Sequence, residues 1–248
     1  MDKTVLITGG SRGIGAATAV LAAQVGYDVA INFTANEAAA EEVAKLVRAT
    51  GQRAMTVRAD VSKDNDVIKM FQAIDNQLGN LRALVNNAGM VDTVCLVENM
   101  SVERVRHLFD VNVIGTFACA REAVLRMSLK HGGSGGAIVN MSSVAARLGA
   151  PNGAVDYAAT KGAIDVFTKG LAIEVAAQGI RVNAVRPGLI DTDMHASQGQ
   201  PDRVRELGPT VPMGRYGTAN EVAASILWLL SDAASYVTST IVDVSGGR

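Results

Sequence analysis

The sequence predicts an α/β fold: seven parallel strands in one doubly wound sheet, flanked by helices, in a single domain spanning residues 1–248. Two observations predict it. Short apolar runs alternate with longer helical patterns from one end of the chain to the other. Several of the short runs are continuous in Val, Ile and Leu instead of alternating with polar residues, the mark of strands covered on both faces. One such alternation uses the whole 248-residue chain, and its 48% apolar content is enough for a sizeable core.

The elements follow in order. Thr4–Thr8 is the first strand, and a glycine-rich turn leads from it into a helix over Ile14–Val25. Asp28–Phe33 and Arg53–Arg58 are the second and third strands, with helices Glu37–Thr50 and Asp64–Gln77 after them. Gly26, Gly51 and Gly79 follow these three helices, where a left-handed residue is wanted. Ala83–Asn86 is the fourth strand, and Ser101–Lys130 reads as one long helix. Gly132–Gly136 reads as a flexible link into the fifth strand, Ala137–Met141. Tyr157–Ala177 is helical and Arg181–Val185 is the sixth strand. Asp191–Pro212 is the least regular segment, and loops of that length in a compact domain serve as lids or are disordered. Thr218-Ala-Asn-Glu221 fits a capping box opening the last long helix, Asn220–Leu230, before a seventh strand at Thr240–Val244.

Composition excludes several function classes. The 23 Lys+Arg against 24 Asp+Glu leave a net charge of −1, with no basic stripe for nucleic acid and no polybasic membrane anchor. No run approaches the ~20 apolar residues of a membrane span. The N-terminus carries no signal-peptide pattern, and the two cysteines, Cys95 and Cys119, have no metal-ligand spacing. A cytoplasmic protein with inert, reduced thiols and no metal site is the expectation.

The turn after the first strand reads Thr8-Gly9-Gly10-Ser11-Arg12-Gly13-Ile14-Gly15. At the first strand-to-helix junction of such a chain, Gly9 lets the backbone turn sharply and Gly13 lets it approach a pyrophosphate. Gly15 lets the helix pack tightly, and the helix N-terminus adds free N–H groups with partial positive charge. This is the phosphate-binding corner of a Rossmann-type fold, and the cradle comprises Gly9, Ser11, Arg12, Gly13, Ile14 and Gly15. An NAD site places an acid at the end of the second strand to hold the ribose 2′-OH. Here that strand ends Ile31-Asn32-Phe33-Thr34, with no carboxylate. NADP(H) is therefore favoured over NAD, with Arg12 offering paired donors to a 2′-phosphate and Asn32, Phe33 and Thr34 beside it. The alternative for Arg12 is a solvated turn residue.

Tyr157-Ala-Ala-Thr-Lys161 puts a phenol and an ammonium on one helix face. A free tyrosine ionises near pH 10, and a neighbouring cation is expected to bring it toward working pH for acid–base chemistry. Fourteen residues upstream, Ser143 follows the fifth strand at the carboxyl edge of the sheet, where open α/β sheets bind ligands. Ser142 competes with it.

Glycine turn, serine and Tyr/Lys pair, in this order and spacing, resemble the short-chain dehydrogenase/reductase family in its compact single-domain branch, over residues 4–247. The resemblance implies that Ser143 orients a carbonyl or alcohol, Tyr157 exchanges a proton with its oxygen, and Lys161 binds the nicotinamide ribose and lowers the tyrosine pKa. It also implies that Asn112, within Val111-Asn112-Val113, completes a proton path. The other reading of Asn112 is an ordinary buried amide satisfied by backbone. By the same resemblance Asp60 and Val61 border adenine, and Asn87, Ala88 and Gly89 form a cofactor-contacting turn. Pro187, Gly188 and the Ile190 backbone hold the nicotinamide end, and Thr192 reaches cofactor oxygens.

Arg147-Leu-Gly-Ala-Pro, Ile180-Arg-Val-Asn-Ala-Val-Arg-Pro-Gly and Met194-His-Ala-Ser resemble bacterial glucose-dehydrogenase-like oxidoreductases, and the chain also resembles 3-oxoacyl-carrier-protein reductases. The latter carry an arginine in a Leu-Ala-Arg-Glu run that here reads Leu171-Ala-Ile173-Glu174, which weakens a carrier-protein substrate. Thr93–Val97, Arg147–Val155 and the lid are expected to shape the pocket, with His195 a solvated or a substrate-touching lid residue. A homotetramer is implied through the long helices, where Ala158, Ala159, Ala163, Val166, Phe167, Gly170 and Leu171 serve as interface or as core. The expected activity is NADP-dependent hydride transfer on a small carbonyl or alcohol. A non-catalytic NADP-binding regulator of the same fold is the alternative.

Overall fold

In the computed structural model, which describes residues 3–192 and 202–248, seven strands form one sheet in the order β3-β2-β1-β4-β5-β6-β7, every pair parallel. The strands are β1 (Thr4–Ile7), β2 (Asp28–Phe33), β3 (Ala54–Arg58), β4 (Leu81–Asn86), β5 (Gly136–Met141), β6 (Ile180–Pro187) and β7 (Ile241–Val244). All residues of β1 and β2 are buried. Side chains alternate between two cores because successive strand residues point to opposite faces. Val5, Ile7, Val29, Ile31 and Val139 pack against α1 (Gly13–Gln24), α2 (Glu37–Arg48) and the last long helix. Leu6, Ala30, Leu84, Ile138 and Val182 meet α3 (Asp64–Gln77) and two helices that follow β4 and β5. Strand order reverses between β1 and β4, and a crevice opens at the carboxyl ends there.

The segment after β4 differs from the single helix expected over Ser101–Lys130. It is α4 (Val102–Phe109), a π-helical turn at Asp110–Ile114, then α5 (Gly115–Met127). The π turn inserts one residue into the helical repeat, and Asn112 within it is buried. Its side chain accepts from Met90 N–H (2.8 Å) and donates to Met90 O (2.9 Å) and Thr160 Oγ1 (3.1 Å), so the bulge is tied to the loop after β4 and to the next long helix. The helix stops at Met127 because Ser128 is extended and its hydroxyl accepts from Lys130 N–H.

Glycines at 132–136 form a packed turn and not a flexible link. Gly135 is left-handed (φ 74°) and donates to Met127 O at 2.7 Å, and a Cβ on it would lie 2.5 Å from Gly179 O. Gly26, Gly51 and Gly79 all have positive φ, as their positions after helices require.

After β5 comes a short helix, α6 (Ala145–Leu148), absent from the sequence reading, then α7 (Val155–Val175). Of the lid segment, residues 193–201, including His195, lie outside the described residues. The described part contains α8 (Arg203–Leu207) and a 3-10 turn at Gly208–Thr210, so it is more regular than expected. Leu189, Val204 and Val211 give it a small core of its own. The capping box at Thr218 and Glu221 forms as expected and starts α9 (Ala219–Leu230). Among the described residues no helix is long and apolar enough to cross a membrane.

Candidate active site

The glycine turn is held from three sides. Thr8 Oγ1 accepts the N–H groups of Asn87 (3.0 Å) and Ala88 (2.9 Å), and Asn87 Nδ2 donates back to Thr8 O (2.8 Å) and Gly9 O (2.9 Å). Gly9 and Gly13 are left-handed, at φ 61° and 55°. A Cβ on Gly15 would collide with the Gly9 carbonyl and lie 2.6 Å from Asn87 Nδ2. The bare Gly15 therefore serves the folding of the helix start onto its own turn more directly than helix-to-sheet packing. Arg12, extended and exposed, precedes α1 without capping it by its side chain, which suits an anion at the first helical N–H groups. The cradle thus fits a dinucleotide pyrophosphate.

Asn32 has a different place from the one expected. Its carboxamide is buried, accepts from Gly9 N–H (3.2 Å), and donates to Val57 O (3.3 Å) and Ala59 O (3.0 Å). It braces the turn from beneath instead of facing a 2′-phosphate. Phe33 likewise turns its ring into the core, while Thr34 is exposed. Arg58 Nε donates to Thr34 O at 3.1 Å, bringing a second guanidinium to the end of β2 that the sequence reading had not marked. Asp60 Oδ1 accepts from Ser62 N–H (3.0 Å) and Ser62 Oγ (2.7 Å). Burial raises the Asp60 carboxyl, but these bonds and Lys63 outweigh it and leave the group below its ordinary value. Val61 is buried beside the bare Gly115 of α5.

A cleft of about 400 Å³ runs from Ile14, Asn87 and Gly89 to Ser143, Tyr157 and Lys161. Pro187, Gly188, Ile190 and Thr192 close its far wall. Thr192 lies against the glycine turn, 3.5 Å from where a Gly13 Cβ would be. The two serines separate clearly. Ser142 is buried with its hydroxyl on Lys161 O at 3.2 Å, whereas Ser143 Oγ accepts Ala145 N–H at 3.1 Å and interacts with the Tyr157 phenol. Residues 93–97 were expected to shape the pocket, but they lie along the 153 region, with Cys95 N–H on Gly153 O at 3.0 Å. Val91 supplies the wall in their place, with Val144, Leu148, Pro151 and Leu189. Cys119 is in the core, where burial pushes its thiol up to about 12; Cys95 is half-exposed.

The lysine is held by a backbone carbonyl. Lys161 Nζ donates to Met141 O at 2.7 Å and stands 5.6 Å from the centre of the Tyr157 ring, so it meets the ring's face. Burial raises the Tyr157 phenol above its ordinary value, and Ser143 is what pulls the other way. Burial pulls Lys161 itself down to about 8, opposed by Asp165. Asn112 Oδ1 and Lys161 Nζ flank Gly89, at 3.3 and 3.5 Å from where its Cβ would be. The sequence reading also missed Asp156, at the first turn of α7. Its carboxylate accepts Tyr157 N–H (2.9 Å) and Arg104 Nε (2.7 Å), while Arg104 Nη2 donates to Thr93 O (2.8 Å).

A family model described as enoyl-(acyl carrier protein) reductase matches residues 9–248. A crystal structure of a short-chain type dehydrogenase/reductase from Mycobacterium marinum superimposes with a TM-score of 0.92 at 33% identity, covering 99% of this chain and 94% of that one. The chain belongs to the short-chain dehydrogenase/reductase family. As a short-chain dehydrogenase/reductase it is an oxidoreductase. It is 58% identical to the protein named uncharacterized oxidoreductase YgfF of Escherichia coli (strain K12), over 98% of each chain. It is 36% identical to the 3-oxoacyl-(acyl-carrier-protein) reductase FabG of Staphylococcus aureus (strain N315), over 100% of this chain and 98% of that one. The acetoin dehydrogenase YohF of Salmonella typhimurium aligns with a TM-score of 0.89 at 36% identity, covering 100% of this chain and 97% of that one.

Proposed function

We propose that this protein transfers hydride between NADP(H) and a small carbonyl or alcohol, with Tyr157 carrying the proton. The observation that carries the reading is the meeting of Ser143 and Tyr157, with Lys161, in a cleft whose other end is the glycine turn. A bound nicotinamide supplies or takes up the hydride. Ser143 donates a hydrogen bond to the substrate oxygen, and Tyr157 gives that oxygen its proton as negative charge grows there, so the stabilisation concentrates in the transition state. Because burial keeps the phenol protonated at neutral pH, the resting site is set for reduction. Lys161 brings a cation to the nicotinamide-ribose side of the cleft, and the Asn112 turn supports the floor beneath it.

NADP is preferred because β2 ends without a carboxylate, Arg58 donates to Thr34 O at that end, and Arg12 stands exposed in the glycine turn. The apolar walls at Val91, Val144, Leu148 and Leu189 suit a compact substrate, in keeping with the acetoin dehydrogenase in the comparison. The similarity to FabG favours 3-oxoacyl thioesters as the second substrate class. Following NADPH absorbance against ketones, sugars, diketones and 3-oxoacyl thioesters tests the reading. Absence of turnover across the panel with NADPH and NADH, despite cofactor binding, would favour a regulator.

A homotetramer through α5 and α7 is supported by apolar residues left on their outer faces. Val166 and Ile173 are 73% and 76% exposed, and Phe117 of α5 stacks on Phe167 of α7 with ring centres 3.7 Å apart. Among the residues expected as interface or core, Ala158 is buried while Ala159, Val166 and Gly170 are exposed. Unpaired Cys95 and Cys119 accord with a cytoplasmic location.

A further inference from the structure

Tyr157, Lys161 and Asp165 follow one another at four-residue intervals along α7, and Lys161 and Asp165 are both buried. Helical side chains lean toward the N-terminus, so Lys161 reaches toward Tyr157 and Asp165 reaches toward Lys161. Arg186 at the end of β6 grips only one oxygen of Asp165, with Nε at 3.0 Å and Nη2 at 2.6 Å from Oδ2. The other oxygen, Oδ1, is buried and has no hydrogen-bond partner among the described residues. A lone carboxylate oxygen in the interior is unfavourable unless a cation lies nearby, and a buried lysine loses its proton unless an anion lies nearby. The two needs answer each other. We propose that Asp165, clamped through one oxygen by Arg186, is the counter-charge that holds Lys161 in its cationic form, and so is a positioning residue for proton transfer at Tyr157. The proposal rests on the reading of function above.

Among the described residues the other groups facing Lys161 do not supply that negative charge, and Arg203 and Arg248, which line the same cleft, are cations. From β5 Lys161 meets the Met141 carbonyl, from the π turn the neutral Asn112 lies across Gly89 from it, and from its own helix it meets the Tyr157 ring. From β6, Arg186 stands behind Asp165. Asp243 of β7 pairs with Arg186 at 3.4 Å and with Arg147 of α6 at 3.2 Å, so both reach Lys161 only through that chain. Asp165 accordingly opposes the fall that burial imposes on Lys161, which settles at about 8. The clamp keeps the carboxylate from swinging onto the ammonium, which stays on Met141 O and open to the cleft.

The test is a pH titration of the protein carrying 13C-labelled lysine side chains, read by NMR, with Lys161→Arg identifying the Lys161 signal by its loss. Asp165→Asn is expected to lower the Lys161 midpoint by about one unit or more, a tenfold loss of proton affinity. The double variant Asp165→Asn/Arg186→Gln leaves no new unpaired charge at this pair, keeps the test valid if the single variant fails to fold, and lowers the midpoint as well. The alkaline limb of NADPH-driven reduction moves down with it, while KM for substrate holds. An unmoved midpoint in both variants overturns the proposal whatever turnover does. A fallen midpoint with an unmoved alkaline limb overturns the positioning role. A fallen midpoint in a protein whose wild type reduces nothing on the panel leaves the counter-charge standing and overturns the reading of function.

Discussion

Lys161 donates its ammonium to the Met141 carbonyl at 2.7 Å, which fastens the one cation of the cleft-facing Tyr/Lys pair to the carboxyl end of β5. The same strand end carries Ser143, so strand and helix are joined at the point where proton transfer is proposed. Burial brings that lysine down to about 8. The proton is present below this value and lost above it. NADPH-driven kcat/KM is therefore expected to hold through neutrality and fall as pH rises through about 8. A profile still flat at pH 10 would detach the rate from Lys161.

Tyr157→Phe removes the phenol oxygen but keeps the ring against the cleft. NADPH affinity, measured by fluorescence titration, should hold, while turnover drops by about 10²–10⁴-fold, the range for a positioned general acid. Unchanged turnover would remove Tyr157 from the chemistry.

At the cofactor rim, Arg12→Ala should weaken NADPH binding by about 10–100-fold, the effect of one charge-assisted contact, with NADH binding little changed. Equal loss for both cofactors would place Arg12 at the pyrophosphate and not at the 2′-phosphate.

Gly15→Ala forces a methyl into the Gly9 carbonyl and the Asn87 amide. Destabilisation of about 1–3 kcal/mol is expected on chemical denaturation, with loss of cofactor binding as the turn is pushed open. Full binding with wild-type stability would show that the turn relaxes freely.

Far from the cleft, Thr218→Ala removes the cap that accepts Glu221 N–H at 3.3 Å and should cost about 1 kcal/mol without changing KM. A changed KM would couple α9 to the site through the lid.

Much of the candidate site was legible because its pattern is local. Tyr157 and Lys161 share a helix face by their spacing alone, and the 9–15 turn is marked by three glycines and the strand before it. Asn32 shows where this reasoning stops. Its place at the end of β2 suggests a cofactor contact, but its partners, Gly9, Val57 and Ala59, are 23 to 27 residues away in sequence, and they turn the amide inward. The π turn at Asn112 was hidden for a related reason. One inserted residue barely disturbs an apolar 3.6-residue pattern, and the bonds that hold it come from Met90 and Thr160.

The sequence by itself determined the layered α/β class, the strands and most helices, the glycine turn after the first strand, and Ser143, Tyr157 and Lys161 as the candidate set that the cleft brings together. Periodicity, turn chemistry and four-residue spacing act over a few residues and need no partner from elsewhere in the chain. Only the tertiary structure decided that Asn32 turns inward beneath the glycine turn, that Lys161 donates to the Met141 carbonyl, and that Arg186 grips Asp165 through one oxygen. Asn32 and Gly9, Met141 and Lys161, and Asp165 and Arg186 are 20 or more residues apart, and burial, which sets the charge of each group, exists only once they have packed together.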